Sequence, residues 1–179
     1  MEHVWVALLR AVNLGSRNRV PMAELRDVLA DAGCGSVATY IQSGNAVFTS
    51  PRSDRDALAR ELELAIRAAF DVETVVILRT EAELARTVRS HPFGPDTTHS
   101  HVTFLAAEPP REAVRRLEAL DVAPDEVRVA GADVHLRLPG GQQGARMTPA
   151  RLERELGVPG TNRNWRTVVR LAEMASARD

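Results

Sequence analysis

A chain of 179 residues with 44% apolar and 26% charged side chains is long enough to bury a core, as one compact unit or as two small ones in contact. The near balance of 23 basic against 24 acidic residues excludes a protein whose whole surface is a trap for nucleic-acid polyanion. Every basic residue is Arg, so Schiff-base or general-base chemistry by a lysine amine is excluded too. The single Cys34 cannot form an internal disulfide, no signal-like segment opens the chain, and no apolar run approaches the roughly 20 residues of a membrane span. A soluble, cytoplasmic protein is the expectation.

Taken in chain order, His3 to Leu9 predicts a strand that is apolar on both faces, so its sheet is expected to be covered on both sides. The polar loop "RAVNLGSRNR" follows. Pro21 to Ala32 predicts a helix, with proline in its first turn, Gly33 at its stop, and Met22, Leu25, Val28 and Leu29 on one face. Val37 to Gln42 and Asn45 to Ser50 predict two strands joined by a tight turn at Ser43-Gly44. Asp54, or Ser53 before it, is placed to cap a helix to Phe70, and Glu73 to Arg79 predicts another strand.

The order βαββαβ is the ferredoxin-like arrangement, whose sheet runs 4-1-3-2. In that order the first strand's C-terminal end and the turn between the second and third strands share one edge. The loop from Arg10 to Arg19 is therefore expected beside Gln42, Ser43 and Asn45.

A short helix at Glu81 to Arg89 and a Pro-Gly loop at Pro92 to Asp96 lead into a second alternation. His101 to Ala107 predicts a strand, Pro110 to Leu120 a helix, and Glu126 to Ala130 with Asp133 to Leu138 a hairpin across Gly131-Ala132. The Gly-rich stretch "PGGQQGARM" precedes a helix opened by Thr148-Pro149, and a last helix is expected from about Asn162 to Ala177, capped by Thr161. The fold class expected is α+β: a ferredoxin-like half over residues 1–80, then a similar βαββα half over 81–179. The C-terminal helix is expected to finish the second half in place of a fourth strand and to pack back on the first half.

Three polar motifs, "LLRAVNLGSRNRVPMAELR", "YIQSGNAVF" and "TNRNWRTV", resemble the bacterial family catalogued as domain of unknown function 1697, in order and across nearly the whole chain. The resemblance implies that family's α+β fold and supplies no substrate. Members usually carry Arg-Gly-Ile-Asn-Val-Gly-Gly where this chain has Arg10 to Ser16. Ala11 and Ser16 thus stand where the family has glycine, while Arg10, Asn13, Gly15 and Asn18 fit.

Chemistry-bearing residues concentrate in these motifs. Arg10, Asn13, Arg17, Asn18 and Arg19 beside Gln42, Ser43 and Asn45 suit phosphate or carboxylate groups, because guanidinium forks and carboxamides donate to anions. The competing reading is a loop whose carboxamides satisfy its own backbone and whose arginines face water. Arg163 and Asn164 are expected in the first turn of the last helix, where they either close over the N-terminal loop or belong to a solvated Arg face with Arg166 and Arg170; Trp165 reads as a core anchor.

Other sites are weaker. The loop with Gly140, Gly141, Gly144 and Arg146 lacks the Lys-Ser/Thr ending of a P-loop and reads as a connector. His99 and His101 have no third ligand at metal-binding spacing, so no metal and no cofactor are expected. Ser43 has no neighbouring histidine base, and Cys34 sits at a helix stop, where the dipole disfavours a thiolate. The site expected is Arg10, Asn13, Arg17, Asn18, Gln42, Ser43, Asn45, Arg163 and Asn164, with no catalytic residue assigned and enzymatic activity left open.

Three functions remain open from the sequence. One is binding of a small anionic or nucleotide-like ligand. Another is a nucleic-acid module using Trp5 and Phe48 as stacking platforms on the first and third strands. The last is an interaction domain whose polar motifs only dock its two halves. Oligomeric state is open in all three, and no membrane partner is expected.

Overall fold

The computed structural model describes residues 1–178 and divides the chain into two units, one of residues 1–86 with the stretch from Arg170 onward, the other of residues 87–169. In the first unit the elements are β1 (His3–Leu9), α1 (Met22–Asp31), β2 (Gly35–Thr39), β3 (Asn45–Ser50), α2 (Arg55–Phe70) and β4 (Val76–Thr80). The sheet is antiparallel with order β2-β3-β1-β4, the expected ferredoxin-like order. In this register Trp5 faces Phe48, Ala7 faces Ala46 and Leu78, and Leu9 faces Val76.

Those residues form the sheet's side of a core completed by Leu25 and Leu29 of α1 and by Leu58, Leu62 and Ile66 of α2. The helices form because these apolar residues recur at i, i+4 and i+8, giving each a single face to bury. Asp54 begins α2 by accepting from the Ala57 N–H at 3.0 Å, and Asp71, at φ 54°, ends it. Arg52 ends α1 differently, donating from its guanidinium to the Ala32 carbonyl and pairing with Glu61 at 2.6 Å. Val6, Leu8, Val47 and Ile77, on the sheet's opposite face, are buried as well. The sheet is thus covered on both sides, as the doubly apolar β1 predicts.

The helix α3 (Glu81–Arg89) runs from the first unit into the second. The second unit then contains β5 (Ser100–Leu105), α4 (Arg111–Glu118), β6 (Glu126–Ala130), β7 (Asp133–Arg137), α5 (Pro149–Leu156) and β8 (Gly160–Asn164), with sheet order β6-β7-β5-β8. Its core is built from Leu105, Leu117, Val134, Leu136, Leu152 and Leu156.

This half is a full second βαββαβ, which corrects the expected βαββα. The fourth strand, β8, lies in the "TNRN" segment assigned from sequence to the last helix, and it pairs antiparallel with β5 from His101↔Asn164 to Leu105↔Gly160. The helix α6 (Trp165–Ser176) begins three residues later than expected. Thr161 is a strand residue, and Asn164 takes over the capping, accepting from the Thr167 N–H at 2.9 Å. Thr148 caps α5 as expected, accepting from the Arg151 N–H at 3.2 Å.

The two repeats share their backbone ties. In the first unit the Leu9 N–H donates to the Gly44 carbonyl at 2.8 Å, and the Arg10 N–H to Val75 at 3.0 Å. In the second, Leu105 donates to Ala132 at 2.8 Å and Ala106 to Pro159 at 2.9 Å. Among the described residues no helix is long and apolar enough to cross a membrane.

Candidate functional site

The two repeats differ where the candidate site lies. Between β5 and α4 the second repeat uses five residues, 106–110, and it turns from β6 to β7 across two, 131–132. The first repeat spends twelve residues, 10–21, between β1 and α1, and five, 40–44, between β2 and β3. The same topology and ties close with the shorter connections, so the additional length at this sheet edge exceeds what the fold requires.

The longer loop folds as a small hairpin. Leu14 and Arg17 form an isolated antiparallel bridge around Gly15-Ser16, with the Arg17 N–H donating to Leu14 at 3.1 Å and the Asn13 N–H to Asn18 at 2.9 Å. Gly15, at φ 61°, holds the first central position of the turn, where glycine carries no Cβ penalty. The hairpin tip is longer than the expected two-residue turn. Tyr40 and Asn45 close it, the Tyr40 N–H donating to the Asn45 carbonyl at 3.0 Å, and Ile41 and Gly44 take positive φ. Gly44 has no alternative, since a Cβ there would stand 2.6 Å from Val12 Cγ2 and 2.8 Å from Leu9 Cβ.

Asn13 joins the two segments. Its Nδ2 donates to the Gln42 carbonyl at 2.7 Å and to the Val20 carbonyl at 2.9 Å, while its Oδ1 accepts from the Val20 N–H at 2.8 Å. Asn18 Nδ2 donates to Ala11 at 2.9 Å, and Asn45 Nδ2, fully buried, donates to Tyr40 at 3.1 Å. Three expected ligand groups, Asn13, Asn18 and Asn45, therefore hold backbone, the role that the competing reading gave to carboxamides. Four of the six non-glycine residues at positive φ among the described residues, Ala11, Asn13, Asn18 and Ile41, lie in these two segments. Strain of this kind collects where surrounding contacts over-determine a loop.

What remains turned to solvent includes cationic and apolar side chains beside neutral polar ones. Arg17, Arg19 and Gln42 are exposed, Arg10 and Ser43 are half-buried, and residues 10–21 contain three arginines and no carboxylate. Neither Arg17 nor Arg19 has an ion-pair partner among the described residues. Leu14 and Ile41, which sequence reasoning passed over, are 62% and 46% exposed. Their signal was present: each is a large apolar residue inside an otherwise polar turn.

Arg163 and Asn164 belong to the second unit and not to the first turn of a helix. Arg163 is a buried residue of β8 that donates to Thr161 Oγ1 at 2.6 Å and to the Asn162 carbonyl at 2.9 Å; burial lowers its pKa to about 10. The nucleic-acid reading loses its platforms, because Trp5 and Phe48 are 3% and 0% exposed within the core. Trp165 is half-buried, its ring 4.4 Å from that of His91.

The Gly-rich loop already holds an anion of its own. The buried Asp125 carboxylate accepts from the backbone N–H groups of Arg146 at 2.6 Å and Met147 at 2.9 Å. His101 Nδ1 lies 3.1 Å from Asn162 Oδ1, and among the described residues no group of three or more His, Cys, Asp or Glu is placed to hold a metal ion. Burial raises the Cys34 pKa to about 11, against the opposing pull of Arg52. His135 is 2% exposed with neither ring nitrogen hydrogen-bonded, its ring 6.3 Å from His91, and burial keeps its pKa below the usual imidazole value.

The fold is shared with a conserved bacterial protein of known structure from Streptococcus pneumoniae, at a TM-score of 0.74 and 22% identity over 98% of this chain and 99% of that one. No curated protein matches the chain. The profile of the family described as "Protein of unknown function (DUF1697)" matches residues 1–135, and the chain belongs to that family.

Proposed function

We propose that the edge formed by residues 10–19 and 41–43 binds a small anionic or nucleotide-like ligand, with Arg17 and Arg19 as the anion-holding groups and Gln42 beside them. The observation that carries this reading is the comparison of the two repeats: the same fold closes with much shorter connections, and the additional length is spent on a cross-tied, cation-bearing surface. In this reading Asn13, Asn18 and Asn45 are the frame and not the contact. Paired carboxylates and histidine are absent from both segments, so the site holds and does not carry out acid-base chemistry. A second reading, a loop whose carboxamides satisfy its own backbone, is favoured by the internal use of Asn13, Asn18 and Asn45; it makes the arginines bystanders.

A thermal-shift titration of the full chain with pyrophosphate separates the two. For a Kd of about 1 mM, 10 mM pyrophosphate stabilises by about 1.4 kcal/mol, roughly 3–6 °C in a chain of this size. The shift is expected to shrink at high salt and to vanish in the Arg17→Gln/Arg19→Gln double variant, whose own melting temperature is unchanged. No shift at low salt, or an equal shift in the double variant, rejects the proposed site.

A further inference from the structure

We infer that the ligand at this edge is a nucleoside phosphate and not a bare anion; the inference rests on the anion-binding reading above. Leu14 and Ile41 are the point of departure. Ile41 is a β-branched residue at φ 49°, a conformation that Asn, Asp or Gly takes far more readily, and it is 46% exposed. Leu14 begins a tight polar turn and is 62% exposed. Turn chemistry favours neither residue, and neither gains a buried environment within the chain.

Both flank the tie between the segments. Asn13 donates to the Gln42 carbonyl at 2.7 Å, so Leu14 and Ile41 each stand one residue from that bond. The Leu14↔Arg17 bridge sets the apolar residue directly across the turn from an arginine. A Cβ at Gly15 would meet nothing within 4 Å, so the surface over the turn is open. Gln42, exposed next to Ile41, offers both an amide donor and a carbonyl acceptor.

These groups correspond to one kind of molecule. A nucleobase has apolar faces for Leu14 and Ile41 and a hydrogen-bonding edge for a carboxamide, and its phosphate suits Arg17 and Arg19. A bare phosphate leaves the apolar side chains in water.

Calorimetric titration of the full chain with inorganic phosphate, adenosine and adenosine 5′-monophosphate tests the inference. The monophosphate is expected to bind about tenfold tighter than inorganic phosphate. Ile41→Asn, chosen because Asn tolerates positive φ, is expected to reduce the monophosphate to phosphate-like affinity and leave phosphate binding unchanged. Leu14→Thr is the second variant, with the same expectation. Equal affinity for phosphate and monophosphate, or unchanged monophosphate binding in both variants, overturns the inference and leaves the anion reading standing. Absence of binding by both at low salt removes the anion reading as well. Binding of an acidic, leucine-containing peptide in place of the monophosphate overturns the inference in favour of a protein partner.

Discussion

Replacing Asn13 by alanine separates a structural clip from a ligand group. The substitution deletes three hydrogen bonds, two donated by Nδ2 to the Val20 and Gln42 carbonyls and one accepted by Oδ1 from the Val20 N–H. Val20 is fully buried, so its N–H loses its partner away from water, a cost of about 1–3 kcal/mol. The two carbonyls contribute about 0.5–1.5 kcal/mol each where water does not replace the donor. Alanine at φ 54° adds about 1 kcal/mol that asparagine does not incur. Together these give a loss of roughly 3–7 kcal/mol, or about 6–28 °C in melting temperature.

Calorimetry on wild type, Asn13→Ala and Asn13→Gly measures it. Glycine accepts the same φ, so the difference between the two variants isolates the backbone share at about 1 kcal/mol, and the remainder belongs to the lost hydrogen bonds. A loss below about 1 kcal/mol in Asn13→Ala would refute the clip and return Asn13 to the ligand contacts.

Gly44→Ala forces a Cβ to within 2.8 Å of Leu9 and Val12 at a φ of 75°, and is expected to cost about 3 kcal/mol or more, read by chemical denaturation. Asp125→Ala removes the carboxylate that holds the Arg146 and Met147 N–H groups; limited proteolysis is expected to begin in residues 139–147, with a loss of about 2–4 kcal/mol. His91, His101 and His135 all have folded pKa values lowered chiefly by burial, so the unfolded chain binds more protons below the ordinary imidazole value. Stability is therefore full above about pH 6.5–7 and falls as pH drops through that value. His135→Phe is expected to reduce this slope by at most about 1.4 kcal/mol per pH unit, measured by denaturation at pH 5, 6 and 7.

The first sheet was legible because its strands carry their own signal. His3–Leu9 and Asn45–Ser50 are β-rich runs bounded by turn residues, and the order βαββαβ leaves few sheet arrangements, so the meeting of residues 13 and 42 followed from topology. β8 was hidden because "GTNRN" has neither alternation nor β-branched enrichment beyond Thr161. Its strand conformation comes from the ladder with β5, and a buried Arg163 contradicts every composition rule for a core position. Asn164, three residues before Thr167, was the available sign that the helix starts later.

The candidate site was legible as a place but not as an allocation of roles. Asn13, Asn18 and Asn45 read as ligand groups because a carboxamide that binds backbone and one that binds a phosphate look alike in sequence. What the structure adds is their hydrogen bonds to backbone carbonyls and, for Asn13 and Asn18, a positive φ, which the proposal reads as a frame. The same structure exposes Leu14 and Ile41, whose outward orientation no periodicity predicts.

On this proposal residues 10–19 and 41–43 form a recognition surface for an anionic ligand. Backbone amide shifts of the full chain, recorded during titration with adenosine 5′-monophosphate, test it most directly. Movement centred on Gly15, Ser16, Arg17, Arg19 and Gln42, suppressed by salt and lost in Arg17→Gln/Arg19→Gln, is the predicted result. Saturable shifts centred elsewhere in the chain, or none at low salt, would contradict it.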